Sequence, residues 1–254
     1  MDYGHQESIL ERYILKVNKK KITFAIIVLI ITCISFSLII CHLYIWKTPS
    51  SKKVFINAQQ SVVELKSQTG EDIISYGSAV FIDDSGTLVS NAHMVTYKQS
   101  GIYKEFESFE IRFSFENDYR EVSLQKYDLN NDISILKLND ITDINFKAID
   151  LGDSTKIASG DKVYAIGNGM NHGLGITQGL ISLPQVNIDY EDNIRNVIQC
   201  DLIINEGNSG GALLDERGKL IGITTFRLKD NNGCIIYGIA FCIPINVVNE
   251  YLNS

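Results

Sequence analysis

Two patterns of apolar residues divide the chain. From Ile22 to Trp46, "ITFAIIVLIITCISFSLIICHLYIW", no Asp, Glu, Lys or Arg interrupts a continuous apolar run. A run of that length can cross the hydrocarbon core of a bilayer as a helix, the form in which a single segment satisfies its own N–H and C=O groups. A cleaved secretory signal would have a shorter apolar core ending in a small-residue cleavage site, which is not seen here. After about Ala58 the pattern changes to short apolar runs separated by Gly, Asn and Asp. "FEIRFSF" alternates, with Phe109, Ile111, Phe113 and Phe115 on one face, the period of a half-buried strand. "GSAVFIDDSGTLVSNAH" sets two apolar runs around Asp-Asp-Ser-Gly, a hairpin signal. "DISILKL", "KVYAIG", "NVIQCDLII", "GKLIGITTF" and "IIYGIAFCI" continue the series. Only the end reads as helix: Pro244 can open one, and Ile245, Val248 and Leu252 then share a face. The pattern predicts an all-β sandwich or barrel, closed by a short helix and preceded by one transmembrane helix.

Flanking residues extend this division. The Lys19–Lys21 cluster before the apolar run favours a cytoplasmic N-terminus, and Tyr44 and Trp46 suit the far interface. The expected organisation is a cytoplasmic tail over 1–21, a transmembrane anchor over 22–46, a polar stalk over 47–57 and one globular domain over 58–254. The chain would then be a single-pass cell-membrane protein with its large domain outside the cytoplasm. A 45% hydrophobic content suits an ordinary packed core, and a net charge of −7 gives no reason to expect nucleic-acid binding. Five cysteines do not make a disulfide framework, since Cys33 and Cys41 lie in the apolar run. Cys200, Cys234 and Cys242 read as buried thiols, with a Cys234–Cys242 pair as the alternative. Nothing in the Cys and His spacing suggests a metal, and no cofactor is expected.

One stretch does not fit a plain strand series. "NEGNSGGALL", Asn205 to Leu214, sets three glycines around a serine between two apolar runs, although glycine weakens a strand. A serine hydroxyl becomes a nucleophile only when a base takes its proton and a third group holds that base in the right tautomer. Of four histidines, His5 lies in the tail and His42 in the apolar run. His172 sits in the glycine-rich "GNGMNHGLG", whereas His93 ends the strand run "LVSNAHMV". Asp132 stands directly before the strand "DISILKL" and is the candidate orienting acid; Asp201 reads as a backbone anchor. His, Asp, Ser is a recurrent triad order. The glycines let the N–H groups of Gly207 and Ser209, with Asn208 between them, converge as an oxyanion hole, where one donor is typically worth about 3–4 kcal/mol.

From about Gly77 to Ile245 the sequence resembles the trypsin-like HtrA serine protease domain. The matching stretches include "GSAVFIDDSGTLVSNAHMV", "NDISILKL", "LGDSTKIASGDKVYAIGN", "GITQGLIS", "IQCDLIINEGNSGGALLDERGKLIGITT" and "GIAFCIPI", in the family's order. The resemblance implies two six-stranded antiparallel barrels of chymotrypsin type with a cleft between them. It places the base on His93, the acid on Asp132, the nucleophile on Ser209 and the hole on Gly207, Asn208 and Ser209. It implies a serine endopeptidase acting through an acyl-enzyme on unfolded or damaged envelope proteins or peptides, and it allows a homotrimer. The alternative is a catalytically silent peptide-binding or sensor module with the same fold.

The departures from the family matter as well. Glu206 stands where the family usually has proline before "GNSGG", and Ala212 where proline often follows, which frees the loop. Glu206 is expected to face solvent, because an unpaired charge is costly to bury. Only ten residues follow Pro244, too few for the PDZ domain that family members commonly carry. Ile203, six residues before the serine, is expected to floor an apolar specificity pocket. Thr224, Thr225 and Phe226 are expected to pair with an extended substrate backbone.

Overall fold

The computed structural model describes residues 3–47, 49–142, 144–169, 172–190, 193–229 and 235–254. They fall into two units, Met1–Thr48 and Pro49–Ser254. The first is one helix, α1 (Tyr3–Lys47), which includes the expected tail as well as the apolar run. Within Asn18–His42 an 18-residue stretch reaches a mean hydropathy of 3.0, which makes the helix long and apolar enough to cross a membrane. Two of its hydroxyls bond within the helix, Thr23 Oγ1 donating to Lys19 O and Thr32 Oγ1 to Leu29 O.

The expected stalk is different in the structure. Residues Ser51–Ala58 form helix α2, capped by Ser50 Oγ, which accepts the Lys53 N–H at 3.3 Å. Val54 and Ala58 are buried against the strands that follow, so the segment belongs to the globular unit and not to a spacer. A valine four residues before an alanine gives a short helix one apolar stripe.

The strands close into two barrels. The first holds β1 (Val62–Thr69), β2 (Ile73–Phe81), β3 (Thr87–Ser90), β6 (Ser108–Arg112), β7 (Arg120–Asp128) and β8 (Ile133–Leu138), in the order β1-β2-β3-β8-β7-β6. A separate hairpin, β4 (Thr96–Gln99) and β5 (Ile102–Glu105), stands beside it. The second holds β9 (Lys162–Gly167), β10 (Gly175–Tyr190), β11 (Asn193–Cys200), β12 (Ala212–Asp215), β13 (Leu220–Lys229) and β14 (Ile235–Pro244), in the order β10-β11-β14-β13-β12-β9. Helix α3 (Ile245–Leu252) follows and buries Ile245 and Val248, as its spacing predicts. The Asp83–Gly86 turn that joins β2 to β3 is held by Asp83 Oδ1, which accepts the Ser85 and Thr87 N–H groups at 2.9 and 3.0 Å.

Strand alternation decides what each barrel does with its residues. Leu65, Phe81, Leu88, Ile111 and Leu136 fill the first barrel, while Val62, Val80, Val89, Ile133 and Ile135 face outward. That outer face packs on Ile166, Ala212, Leu220, Ile223 and Ile243 of the second barrel in one buried cluster. Strands buried on both faces carry few charged residues, and the hydroxyls within them, Ser134 in "DISILKL" and Thr224 and Thr225 in "GITT", are buried. The seam between the barrels places the loops at their ends against each other.

Candidate active site

After β3, residues Ala92–Met94 make a single 3-10 turn that presents His93 at the seam. Its ring Nδ1 lies 2.9 and 3.0 Å from the two carboxylate oxygens of Asp132, and its backbone N–H donates to Oδ1 at 3.0 Å. Asp132 precedes β8 with φ 58°, a left-handed conformation that is unusual for a side-chain-bearing residue. Asn91 Nδ2 donates to its carbonyl at 3.1 Å and helps hold that conformation. Thr225 Oγ1 completes the carboxylate's partners at 2.6 Å. Burial pushes the Asp132 carboxyl up, but the His93 charge and the hydrogen bonds from His93 and Thr225 outweigh it and hold it below the usual carboxylate range. A buried carboxylate on Nδ1 leaves Nε2 as the side of the ring that can exchange a proton with a reactant. The His93 side chain is 44% exposed, which permits that.

Ser209 stands in the loop of residues 201–211 between β11 and β12. Gly207 (φ 90°) and Gly210 (φ 81°) bend the loop around it. A Cβ at Gly210 would collide with Ser78 O and Ser90 Oγ, so glycine there is required by space as well as by φ. Ser78 fastens the loop from the first barrel: its Oγ donates to Gly207 O at 2.8 Å, and its N–H donates to Ser209 O at 2.9 Å. Asn208 is buried, with its N–H on Asn205 O and its side chain against Gly167 and Gly169. Among the described residues, no protein acceptor takes the N–H of Gly207 or Ser209. The Ser209 hydroxyl donates to Thr225 O at 2.9 Å.

A cavity of about 520 Å³ connects these groups, lined by His93, Ser209, Gly207 and Glu206 and, across from them, Ile74, Tyr76 and Met94. Glu206 is exposed at its rim. Ile203 is 59% exposed and stands apart from this lining, while its neighbours Leu202 and Ile204 enter the barrel core. In this loop segment the side chains of 202 and 204 take the inward places. Thr224 and Thr225 are buried and bond inward: Thr224 Oγ1 reaches Gly211 O and Asn208 O, and Thr225 serves Asp132. The β13–β14 pairing shifts register between Thr224 and Phe226, and this bulge turns Thr225 toward Asp132. Phe226 is covered by the Tyr190 ring at 4.0 Å.

Other expectations resolve similarly. Asp201 accepts the Leu180 N–H at 2.5 Å, a backbone anchor. His172 donates its N–H to Gly169 O at 3.4 Å, in the loop after β9. Cys200 and Cys242 are buried free thiols, and Cys234 lies outside the described residues. No group of His, Cys, Asp and Glu among the described residues forms a metal-binding cluster. Sequence reasoning missed Ser78, Thr225 as a partner of Asp132, and Arg195. The first two sit inside the stretches "GSAVF" and "GITTF", where hydroxyls among apolar residues are a signal of buried partners.

Residues 77–223 match the trypsin-like peptidase domain. The chain belongs to that family. Among its relatives, a probable periplasmic serine endoprotease DegP-like of Buchnera aphidicola subsp. Baizongia pistaciae is 38% identical over 176 residues, covering 68% of this chain and 35% of that one. The periplasmic serine endoprotease DegP of Escherichia coli K12 is 36% identical over 182 residues, covering 71% of this chain and 35% of that protein. The structure of the HtrA-type protease AlgW with a tripeptide superposes with a TM-score of 0.68 and 32% identity, over 81% of this chain and 63% of that one. This trypsin-like chain therefore has HtrA-type proteases as relatives in both sequence and fold. It spans about a third of the length of the DegP relatives it matches.

Proposed function

We propose that the chain is a serine endopeptidase of HtrA type, anchored by α1 with its barrels outside the cytoplasm. Ser209 Oγ attacks the scissile carbonyl, and His93 takes its proton and returns it to the leaving amine. Asp132 orients His93 and stabilises the imidazolium, and the Gly207 and Ser209 N–H groups receive the oxyanion. The acyl-enzyme is then hydrolysed by water with the same base. The observation that carries this reading is the Asp132–His93 pair at 2.9 Å opening into one cavity with Ser209. Substrates are extended or unfolded peptide segments of envelope proteins, in keeping with relatives named periplasmic endoproteases. Three copies are the proposed assembly.

One observation favours a second state. With its hydroxyl donated to Thr225 O, Ser209 must give up that hydrogen bond before His93 can accept the proton. That is the form expected of a resting enzyme awaiting substrate, or of a silent binding module. A fluorophosphonate probe on the full chain in detergent separates them. Ser209-dependent labelling, absent in Ser209→Ala, supports the hydrolase. A folded chain that stays unlabelled even with unfolded protein added supports the binding module.

A further inference from the structure

Arg195 sits at an inward-facing position of β11, paired across the hairpin with Ile188, where the strand pattern calls for an apolar residue. Its neighbour Ile194 takes the outward place and is 79% exposed. A buried guanidinium is costly unless each of its donors finds an acceptor. Here Nε donates to Asn130 O at 2.9 Å and Nη2 to Leu129 O at 3.0 Å, both in the turn that leads into Asp132. The remaining arm, Nη1, stands 3.9 Å from Asp132 Oδ2, with the two side chains 7% and 4% exposed. Tyr190 and Phe226 cover the guanidinium, its Cζ lying 5.1 and 5.9 Å from their ring centroids.

We infer that Arg195 is a positioning residue for the proposed triad: through its fork it fixes the 129–132 turn, and through its charge it tunes the His93–Asp132 pair. The inference rests on the serine-peptidase reading for its consequence in rate, though not for its consequence in charge. The geometry is specific to arginine. A planar fork reaches two successive carbonyls and a carboxylate together, which a lysine ammonium on a flexible stem does not. The turn needs such support because Asp132 is in the left-handed region and no β ladder bond holds residues 129–131. The bond crosses from the second barrel to the first, so the acid of one barrel is registered against the strand of the other. Phe226, on the expected substrate strand, is packed against the same guanidinium, and an occupant of that strand acts on the acid through it.

The charge has a definite sign. His93 from the 3-10 turn, Arg195 from β11 and the Thr225 hydroxyl from β13 face Asp132, and Glu206 and Tyr76 line the cavity on the open side of His93. The arginine cation favours the Asp132 carboxylate and opposes the imidazolium beside it. Replacing Arg195 with a neutral residue therefore stabilises His93 in its charged form.

The experiment is an imidazole ¹⁵N titration of His93 in the full chain in detergent micelles, assigned with His93→Gln, together with peptide hydrolysis against pH. In Arg195→Gln the His93 pKa is expected to rise by about one unit. The acid limb of kcat/KM moves the same way, and kcat/KM falls about 10- to 100-fold through the loosened turn. A folded Arg195→Gln chain with an unchanged His93 pKa overturns the inference. If that variant does not fold, Arg195→Lys decides the question: a reduced kcat with the wild-type His93 pKa supports the fork, and wild-type kinetics overturns it. Fluorophosphonate labelling of the wild type is read separately. A His93 shift in a chain that does not label Ser209 leaves the Arg195 role standing and removes the hydrolytic reading.

Discussion

The proposed acid–base side of the site and the proposed nucleophile side are built by different means. His93 and Asp132 are flanked by the regular strands β3 and β8, and Asp132 accepts from the His93 ring, the His93 backbone and the Thr225 hydroxyl, with Arg195 close by. Ser209 stands in a loop without strand pairing, shaped by glycines and tied down by Ser78. One side is fixed by several hydrogen bonds to one buried carboxylate, where each bond is worth more than in water. The other is fixed by backbone conformation and close approach, and its hydroxyl still points at Thr225 O. In the proposed mechanism such a site holds its base in place and requires the Ser209 hydroxyl to leave Thr225 O when substrate arrives.

Breaking each side separately tests that contrast. The largest effect is expected from Asp132→Asn, which removes the carboxylate that sets the imidazole tautomer; kcat/KM should fall about 10⁴-fold while the circular dichroism spectrum stays unchanged. An activity within tenfold of wild type would mean that His93 is oriented by other groups. Gly210→Ala attacks the other side. It places a Cβ on Ser78 O and Ser90 Oγ at φ 81° and should lower the unfolding free energy by about 2–3 kcal/mol in a urea titration. It should also leave the titration of His93 near its wild-type position, since the acid–base pair is held elsewhere.

Thr225→Val is a finer cut, keeping shape while deleting one donor to Asp132; a loss of about 1–3 kcal/mol is expected. The pH dependence has a fixed direction. Because the folded Asp132 carboxyl is held below its ordinary range, its contribution to stability is present above the unfolded pKa and is lost as pH falls through the folded one. Thr225→Val removes part of that depression, so the acid loss of stability should be smaller and should be complete at a higher pH. Denaturant unfolding across the acid range measures it, and coincident curves for the two proteins would refute the coupling. The smallest effect belongs to Glu206→Gln, which takes a carboxylate from the cavity rim beside the proposed oxyanion hole. A gain of about twofold in kcat/KM at low ionic strength, vanishing in high salt, is expected.

Much of this architecture can be read from residue order. Alternation in "FEIRFSF" gives a strand, although the strand ends at Arg112 and Phe115 is exposed. The apolar runs around Asp-Asp-Ser-Gly give a hairpin, the Pro244 boundary gives the last helix, and the apolar run with no Asp, Glu, Lys or Arg gives a helix suited to lipid. The candidates His93, Asp132 and Ser209 can be picked out too, since a histidine after a strand run, an acid before one and a serine among glycines occur together in a recurrent triad order. These are short-range features: propensity, period and turn chemistry act over a few residues and leave their mark on adjacent letters. Long-range contact decided the rest. That "SKKVFIN" is a packed helix and not a stalk depends on a groove for Val54 supplied by strands far along the chain. Ile203 faces solvent because Leu202 and Ile204 won the inward places, a choice of register that the run "LII" leaves undecided. Thr225 reaches Asp132 only through a bulge in β13, and Arg195 reaches it only because one barrel leans on the other. Sequence by itself determined most of the elements and nominated the residues proposed to carry chemistry. Tertiary structure alone decided which of them touch, because hydrogen bonds and buried charge are settled by partners that sequence distance does not encode.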